Sequence, residues 1–414
     1  MLGRIEAVYR RVLNAITIAK FLKRESNRKA ILRASRAGAL VSARFNANAV
    51  NRLPLPNLKS KPSILIIYNP HLRQCVRYRV QQKIEAFRRE DIQYEVVPEN
   101  EIVSTSELNG YSHFLFQRPE PSERTIKMMK YATERGKVIL DIDDAIFSEE
   151  ALDLNPGLAG LSAQLVSSFY KAVPFYQEML RQSHVYCAST QPIADLASGY
   201  SPGKVVIWRN SLDDQHLSVA TYYSTQDWDI KLPDNILMTS LSSGVENDLN
   251  NVRSFFEKLF GINKGAVLSL AGPTPKMDWL NHYKDRVRNL PALNYLPHLF
   301  RVARFPVTVI PLADHLFNRC KSAIRMQESF LLSASVLCSE SPESTYAKEE
   351  LRASDSIHIL NDKGRDIEFC LEALAKWKSY KDIRGAFRDR IEKVTASGIY
   401  LPNVCTKNVK DLLQ

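Results

Sequence analysis

The chain has 414 residues, enough for two or three domains, and 45% of them are hydrophobic. This composition excludes a wholly disordered protein, and no apolar stretch approaches the roughly 20 residues that a membrane-spanning helix needs. The six cysteines form no CxxC pair, so the sequence indicates neither a zinc site nor a disulfide framework. We therefore expect a cytoplasmic protein.

The net charge of +11 comes from one end of the chain, because residues 1–61 carry 14 basic and two acidic side chains. Within residues 1–24, polar side chains recur at helical spacing beside a broad apolar face, which is typical of an amphipathic helix. Such a helix would pack on this protein or a partner, or would lie through residues 1–36 on an anionic membrane surface. In the second case the protein is peripheral on the inner face of the cell membrane. Nucleic-acid binding is not expected, since no aromatic platform or known motif accompanies the basic run.

From residue 62 onward, short apolar strands alternate with amphipathic helices, a pattern that predicts parallel α/β domains. In the first half, strands are expected at 64–68, 92–97, 113–116, 137–141, 185–189 and 205–208, with helices near 75–89, 121–135, 161–182 and 190–198. In the second half, strands are expected at 236–240, 266–271, 293–296, 307–311, 335–339 and 357–360, with helices near 248–260, 276–289, 318–332 and 366–379.

These elements predict two Rossmann-like, doubly wound domains that face each other across a cleft. The predicted organisation is a basic extension (1–61), a first domain (62–210), a polar linker (211–234), a second domain (235–380) and a C-terminal helical segment (381–414). One expectation for the last segment is that it packs back on the first domain. Ligands of doubly wound sheets bind beyond the carboxyl ends of the strands, so two such domains form a natural two-substrate site.

The strongest local signal for chemistry is the segment 318–328, which follows the predicted strand 307–311. Asn318 is a suitable N-cap, and a helix that begins there would present free backbone N–H groups to an anion. Lys321, Arg325 and Glu328 would lie on one helical face, with Glu328 about 10 Å along the axis from Lys321. This separation suits a molecule bound at a diphosphate and at a sugar or ribose hydroxyl. A solvent-facing row of salt bridges has the same spacing, and spacing alone favours it.

Four collinear segments resemble motifs of GT-B glycosyltransferases related to glycosyltransferase family 4, in a subgroup with DxDDxxF and FNxxKSxxKxxE motifs. The segments are Tyr78-Arg79-Val80, Asp141-Ile142-Asp143-Asp144-Ala145-Ile146-Phe147, the run from Ser189-Thr190 to Arg209-Asn210, and the run from Pro311-Leu312 to Glu328. The resemblance covers about residues 62–380.

The resemblance implies a GT-B hexosyltransferase that moves a sugar, with retention, from a nucleotide-sugar donor to a glycan or lipid-linked acceptor in surface polysaccharide or glycoconjugate synthesis. It implies no cofactor and no obligatory metal. Glu328 would contact the donor's ribose or sugar, Lys321 the diphosphate, and Asp144 the acceptor hydroxyl, and these three are the predicted catalytic residues. The predicted donor-binding residues are Ser240, Ser242, Gly272, Asn318, Ser322 and Arg325. The predicted cleft and hinge residues are Tyr78, Arg79, Asp143, Arg209 and Asn210.

Two features of the sequence keep alternatives open. The D-x-D at Asp141 and Asp143 would bind a divalent metal in transferases with a single sheet domain, although the tandem domains favour a metal-free site. The sequence also departs from the subgroup's pattern at Leu241, Val245, Cys320 and Ser333, and a Cβ at Leu241 narrows the approach of a diphosphate to the backbone. The main alternative is a catalytically degenerate GT-B scaffold that binds a glycan or partners an active transferase.

A chain that begins near residue 60 should sediment less with anionic vesicles than the full chain does. Each lost basic side chain removes about 1 kcal/mol of attraction to an anionic surface. Co-sedimentation with phosphatidylserine vesicles measures the difference, and neutral vesicles serve as the control. Equal binding of the two chains would contradict a membrane role for the extension.

Overall fold

The computed structural model describes residues 63–72, 75–225, 232, 234–239, 245–272, 274–332, 335–361, 363–377 and 380–414. The predicted amphipathic extension therefore lies outside the described residues. So do the predicted donor-binding residues Ser240 and Ser242 and the departures at Leu241 and Ser333.

The first domain is built on a sheet of six parallel strands. The strands are β1 Ser63–Tyr68, β2 Gln93–Pro98, β3 His113–Gln117, β4 Lys137–Ile142, β5 Val185–Ala188 and β6 Lys204–Ile207. Their order is β2-β1-β3-β4-β5-β6, so the winding direction changes between β1 and β3. The central strands are buried along their length, because helices cover both faces of a parallel sheet.

The second domain repeats this plan with β7 Asn235–Thr239, β8 Val267–Ala271, β9 Val287–Leu290, β10 Val307–Ile310, β11 Ser335–Cys338 and β12 Ile357–Ile359. The order is β12-β11-β10-β7-β8-β9, and the winding direction changes between β7 and β10. The predicted architecture of two doubly wound domains is confirmed.

Helices connect the strands and cover the sheets. In the first domain they are α1 Gln82–Arg89, preceded by a π-helical turn at Val76–Gln81, α2 Glu123–Thr133, α3 Glu149–Asp153, α4 Ala163–Gln182 and α5 Gln191–Ser198. The chain continues through α6 Asp214–Thr225, α7 Val245–Ile262, α8 Asp278–His282, α9 Tyr295–Val302 and α10 Leu316–Arg319. The last helices are α11 Ile324–Leu331, α12 Pro342–Glu350, α13 Lys363–Lys376, α14 Tyr380–Thr395 and α15 Leu401–Leu413.

Two sequence predictions around β9 are wrong. The predicted helix 276–289 ends early, at α8, and the predicted strand 293–296 lies partly in helix α9, whereas the strand is β9. The strand β9 contains Arg288 and Asn289 because it is an edge strand with its middle exposed, so it lacks the continuous apolar run of the inner strands.

The chain returns to the first domain at its C-terminal end. Helix α14 packs on α6 and α11, and α15 packs on α1 and β6. Cys405, Val409 and Leu412 of α15 join the core beside β1 and β3. The start of α15 is also bound to the segment that follows β6, because the Leu401 N–H donates to the Leu212 carbonyl at 2.7 Å.

A fully buried triad of charged side chains, Asp141, Arg79 and Lys83, stabilises the first domain near the carboxyl ends of its strands. Asp141, on β4, accepts two hydrogen bonds from the Arg79 guanidinium, at 2.8 and 3.0 Å, and its carboxylate lies 2.5 Å from Lys83 Nζ. Burial alone raises the pKa of Asp141, but the Arg79 and Lys83 charges lower it. Arg79 also donates to the Trp208 carbonyl and to Asn210 Oδ1, so the triad holds the exit of β6 in place.

Replacing Asp141 by Asn should lower the free energy of unfolding by about 3–5 kcal/mol, because it leaves two buried cations without a carboxylate. Urea unfolding followed by circular dichroism measures the loss. Asp314→Asn is the control, since Asp314 pairs with Arg319 at an exposed position and should change the stability little. Equal stabilities of the two variants would contradict the structural role of the triad.

Candidate functional site

The site lies where the carboxyl ends of the two sheets meet. Thr190, directly after β5, donates its hydroxyl to the Cys320 carbonyl at 3.1 Å. Phe317 and Cys320 of the second domain pack against the core of the first domain. The chain segment that follows β10 therefore crosses the cleft and touches the residues that follow β4 and β5.

The predicted helix start at Asn318 is wrong. Asn318 lies inside the short helix α10, is buried, and donates its side-chain amide to Asp248 at 3.2 Å and to the Ala313 carbonyl at 2.9 Å. The next helix, α11, begins only at Ile324. Between the two helices, Cys320 packs against the core of the first domain and accepts a hydrogen bond from Thr190, a tertiary contact that local capping signals do not report. A long helix therefore does not begin at Asn318.

Asp144 and Lys321 meet across the cleft. Lys321 Nζ lies 2.9 Å from Asp144 Oδ1, and Arg118 lies 2.7 Å from Asp144 Oδ2 and 3.3 Å from Asp143. Burial alone raises the pKa of Asp144, but Lys321 and Arg118 lower it to about 2. Arg118 was not among the predicted residues. Its φ of 39° is uncommon for a residue with a side chain, and strain of this kind clusters at functional sites.

Glu328 is also engaged across the cleft. It is only 3% exposed, and its Oε1 accepts hydrogen bonds from the Tyr78 hydroxyl of the first domain and from His216 Nε2, at 3.2 Å, on α6. The alternative of a solvent-facing salt-bridge row is therefore wrong for Glu328. No hydrogen bond to Glu328 Oε2 is found among the residues that the structure describes.

Arg325 is the cation that the described residues leave without an ion pair at this edge. It donates to the Thr239 carbonyl, at 3.3 Å, where β7 ends. Burial lowers the pKa of Arg325, although Asp248 and Glu328 act in the opposite direction. Ser322 contributes locally, since its hydroxyl accepts from the Ile324 N–H at 3.3 Å and helps to begin α11.

Gly272 lies at the same edge of the second sheet, directly after β8. Its φ is 124°, a conformation that a side chain disfavours, and its N–H donates to the Leu290 carbonyl at 3.0 Å. This is the turn in the predicted donor region where glycine is required by the backbone.

The hinge is the segment 209–213, which follows β6 and leads out of the first domain. It contains an interdomain ion pair that the sequence prediction did not find. Arg209 donates to both oxygens of Glu343, at 2.9 and 3.2 Å, and lies over the Tyr346 ring at 4.0 Å. Glu343 also accepts from the Gln191 N–H at 3.0 Å. Asn210, the neighbour of Arg209, instead binds Arg79 of the first domain. Glu343 follows β11, so a search of every strand's carboxyl end would have found it.

The described residues contain no group of three or more His, Cys, Asp or Glu side chains placed to hold a metal ion. The absence of an obligatory metal stays a prediction. In the same part of the chain, no helix combines the length and the apolar character needed to cross a membrane.

The free energy of unfolding should fall between about pH 4 and pH 2, partly because of Asp144. Its folded pKa of about 2 lies below its ordinary value of 3.8, so its contribution is present above pH 4 and is lost as pH falls through 2. Asp144→Asn should therefore remove on the order of 2 kcal/mol at pH 7 and little at pH 2. Acid titrations followed by circular dichroism test this, with Asp143→Asn as the control on the same turn. The same pH dependence in wild type and Asp144→Asn would contradict it.

The same arrangement of two domains occurs in solved glycosyltransferase structures. An alpha-glucosyltransferase in complex with UDP and a 13-mer DNA is 12% identical, with 86% of this chain and 100% of that chain covered and a TM-score of 0.56. TarM is 9% identical, with 73% and 55% covered and a TM-score of 0.49. The pneumococcal O-GlcNAc transferase GtfA, in complex with UDP and GlcNAc, is 10% identical, with 74% and 58% covered and a TM-score of 0.48.

The chain thus spans a little over half the length of TarM and GtfA. No protein-family model matches the chain, and no curated protein matches its sequence. The likeness to the alpha-glucosyltransferase, together with the two parallel sheets, confirms that this chain has the two-domain GT-B fold.

Proposed function

We propose that this protein is a glycosyltransferase that moves a sugar from a nucleotide-sugar donor to a glycan or lipid-linked acceptor. The observation that carries the proposal is Arg325, a cation at the carboxyl edge of the second sheet without an ion pair among the described residues. Arg325 and Lys321 both lie close enough to Asp248 to act on its charge. A fold alone hosts many functions, so these side chains, rather than the GT-B fold, support the proposal.

The second domain would hold the donor. Arg325 and Lys321 would face the diphosphate, where negative charge develops as the sugar leaves, and the turn at Gly272 would allow close approach of the backbone. Two cations can supply the charge stabilisation that a metal ion supplies elsewhere. Glu328 would bind a donor hydroxyl through its remaining oxygen, Oε2.

The first domain would receive the acceptor at Asp144. A carboxylate with a pKa of about 2 is a weak base near pH 7, so Asp144 would orient the acceptor hydroxyl more than deprotonate it. When the donor binds, Lys321 would leave Asp144 and pair with the diphosphate. Donor binding would thereby free the Asp144 carboxylate to contact the acceptor hydroxyl.

The finer parts of the proposal follow from the motif resemblance. They are membership of the family 4 subgroup, hexosyl transfer with retention, the absence of an obligatory metal, and a role in surface polysaccharide or glycoconjugate synthesis. Residues 1–36 would hold the protein at the inner face of the membrane, near a lipid-linked acceptor.

A specific observation favours one alternative function. Lys321 and Glu328 are both engaged with the first domain or α6 instead of facing an open cleft. In a catalytically degenerate scaffold that binds a glycan or a partner transferase, these contacts would only hold the two domains together. Nucleotide binding separates the two functions.

At 100 times its dissociation constant, the correct nucleoside diphosphate should stabilise the protein by about 2.7 kcal/mol in thermal unfolding. Release of nucleotide from a panel of nucleotide sugars should be abolished by Lys321→Ala and by Glu328→Ala. Arg319→Ala is the matched control, because Arg319 is an exposed cation two residues from Lys321 that pairs only with Asp314 among the described residues. The scaffold is favoured if no nucleotide stabilises the wild-type chain.

A further inference from the structure

His216 lies between two carboxylates in the middle of the molecule. It is completely buried at the start of α6, the helix that follows the first domain. Its Nδ1 lies 2.9 Å from Asp213 Oδ1, and its Nε2 lies 3.2 Å from Glu328 Oε1. The imidazole therefore connects the hinge to the carboxylate that the proposed function places at the donor.

Both ring nitrogens need a proton to satisfy these contacts. A neutral imidazole has one N–H, so one of its nitrogens would turn a lone pair toward a carboxylate. Nδ1 also lies 3.1 Å from the Asp213 backbone nitrogen, a contact that suits a neutral ring. The Asp213 carboxylate, however, lies nearer to Nδ1 than this backbone nitrogen does, and a second carboxylate, that of Glu328, faces Nε2. Two carboxylates favour the imidazolium, because charge-assisted hydrogen bonds are about twice as strong as neutral ones.

The groups around His216 support this protonation state. Burial lowers the pKa of His216, but Asp213 and Glu328 raise it above its ordinary value. Asp213 is held ionised by Arg77, with which it forms an ion pair. The Tyr295 hydroxyl also contacts Nε2, and it can accept from a protonated nitrogen or donate to a neutral one, so this contact fits both states of the ring.

His298 cannot replace His216 as the cation beside Glu328. It lies on α9 close enough to influence Glu328, but burial lowers its pKa below the ordinary value, so it is neutral near pH 7. Burial alone raises the pKa of Glu328, and the hydrogen bond and charge of His216 lower it. His298 and the Tyr78 hydroxyl also lower the pKa of Glu328, but His216 has the largest effect in keeping this buried carboxylate ionised.

We propose that His216 is a positioning residue: as an imidazolium held by Asp213, it keeps Glu328 ionised and occupies Oε1, so that Oε2 is available to a donor hydroxyl. The inference deepens the proposed function and rests on it for the role of Oε2. Arg77 and Asp213 form the outer part of the same chain of contacts. Tyr78 adds the hydroxyl that shares Oε1 with the imidazole.

The pairing is tested without any ligand by ¹⁵N-histidine labelling of the full-length chain, with His216 assigned from the spectrum of His216→Gln. Both His216 ring nitrogens should be protonated at pH 7, and Glu328→Gln should lower the His216 titration midpoint by about one pH unit or more. His358 is the internal control, because it pairs with Asp366 at 2.7 Å outside this network, so Glu328→Gln should leave its ring signals unchanged. A neutral His216 at pH 7, or an unmoved midpoint, would overturn the proposal.

The positioning role is tested by the affinity for whichever of UDP, GDP and ADP binds the wild-type chain. His216→Leu should weaken binding about 10- to 100-fold, the loss expected for a hydrogen bond to a charged group. His216→Gln should recover part of the loss, since its amide can donate to Glu328, and His358→Gln should bind as wild type does. Tight binding by a folded His216→Leu would overturn the role. If none of the three nucleotides binds the wild-type chain, the proposed function fails, and the labelling experiment still decides the pairing.

Discussion

Carboxylates that are neutralised from another part of the chain, one inside the first domain and two where the domains meet, are the constraint on which this structure depends. Asp141 is held by Arg79 and Lys83, Asp144 by Arg118 and Lys321, and Glu343 by Arg209. An unpaired charge in such a place would cost several kcal/mol, so the domains can approach only where these partners meet. The ion pairs set which residues face each other across the cleft.

In the short segment before α1, three neighbouring residues contact three different parts of the molecule. Arg79 points into the first domain and fixes β4 to the exit of β6, whereas Tyr78 reaches Glu328 of the second domain and Arg77 reaches Asp213 of the hinge. Three consecutive side chains thus join the core, the cleft and the hinge. The π-helical turn places them there, and such turns are frequent at functional sites. A donor that binds Glu328 or Lys321 would have to compete with, or fit beside, contacts of this kind.

The sequence predicted the architecture well because a parallel sheet leaves a strong pattern. Runs such as Ile64 to Tyr68 are apolar on both faces, and amphipathic helices separate them, so their number and order follow from burial alone. The edge strand β9 was missed, since one side of it is exposed and it carries polar residues. The helix start at Asn318 was also misplaced, since the chain breaks before α11 at Cys320, which contacts Thr190, a residue far away in the sequence.

The sequence by itself determined the two doubly wound domains, the basic extension, and the candidate residues after the strands, because periodicity and local composition record burial and strand ends. Only the tertiary structure decided that Asp144 meets Lys321, that Glu328 is buried beneath Tyr78 and beside His216, and that Glu343 closes the hinge with Arg209. These partners are separated by more than 100 residues along the chain, and no local pattern encodes a contact that forms only when two sheets are brought edge to edge.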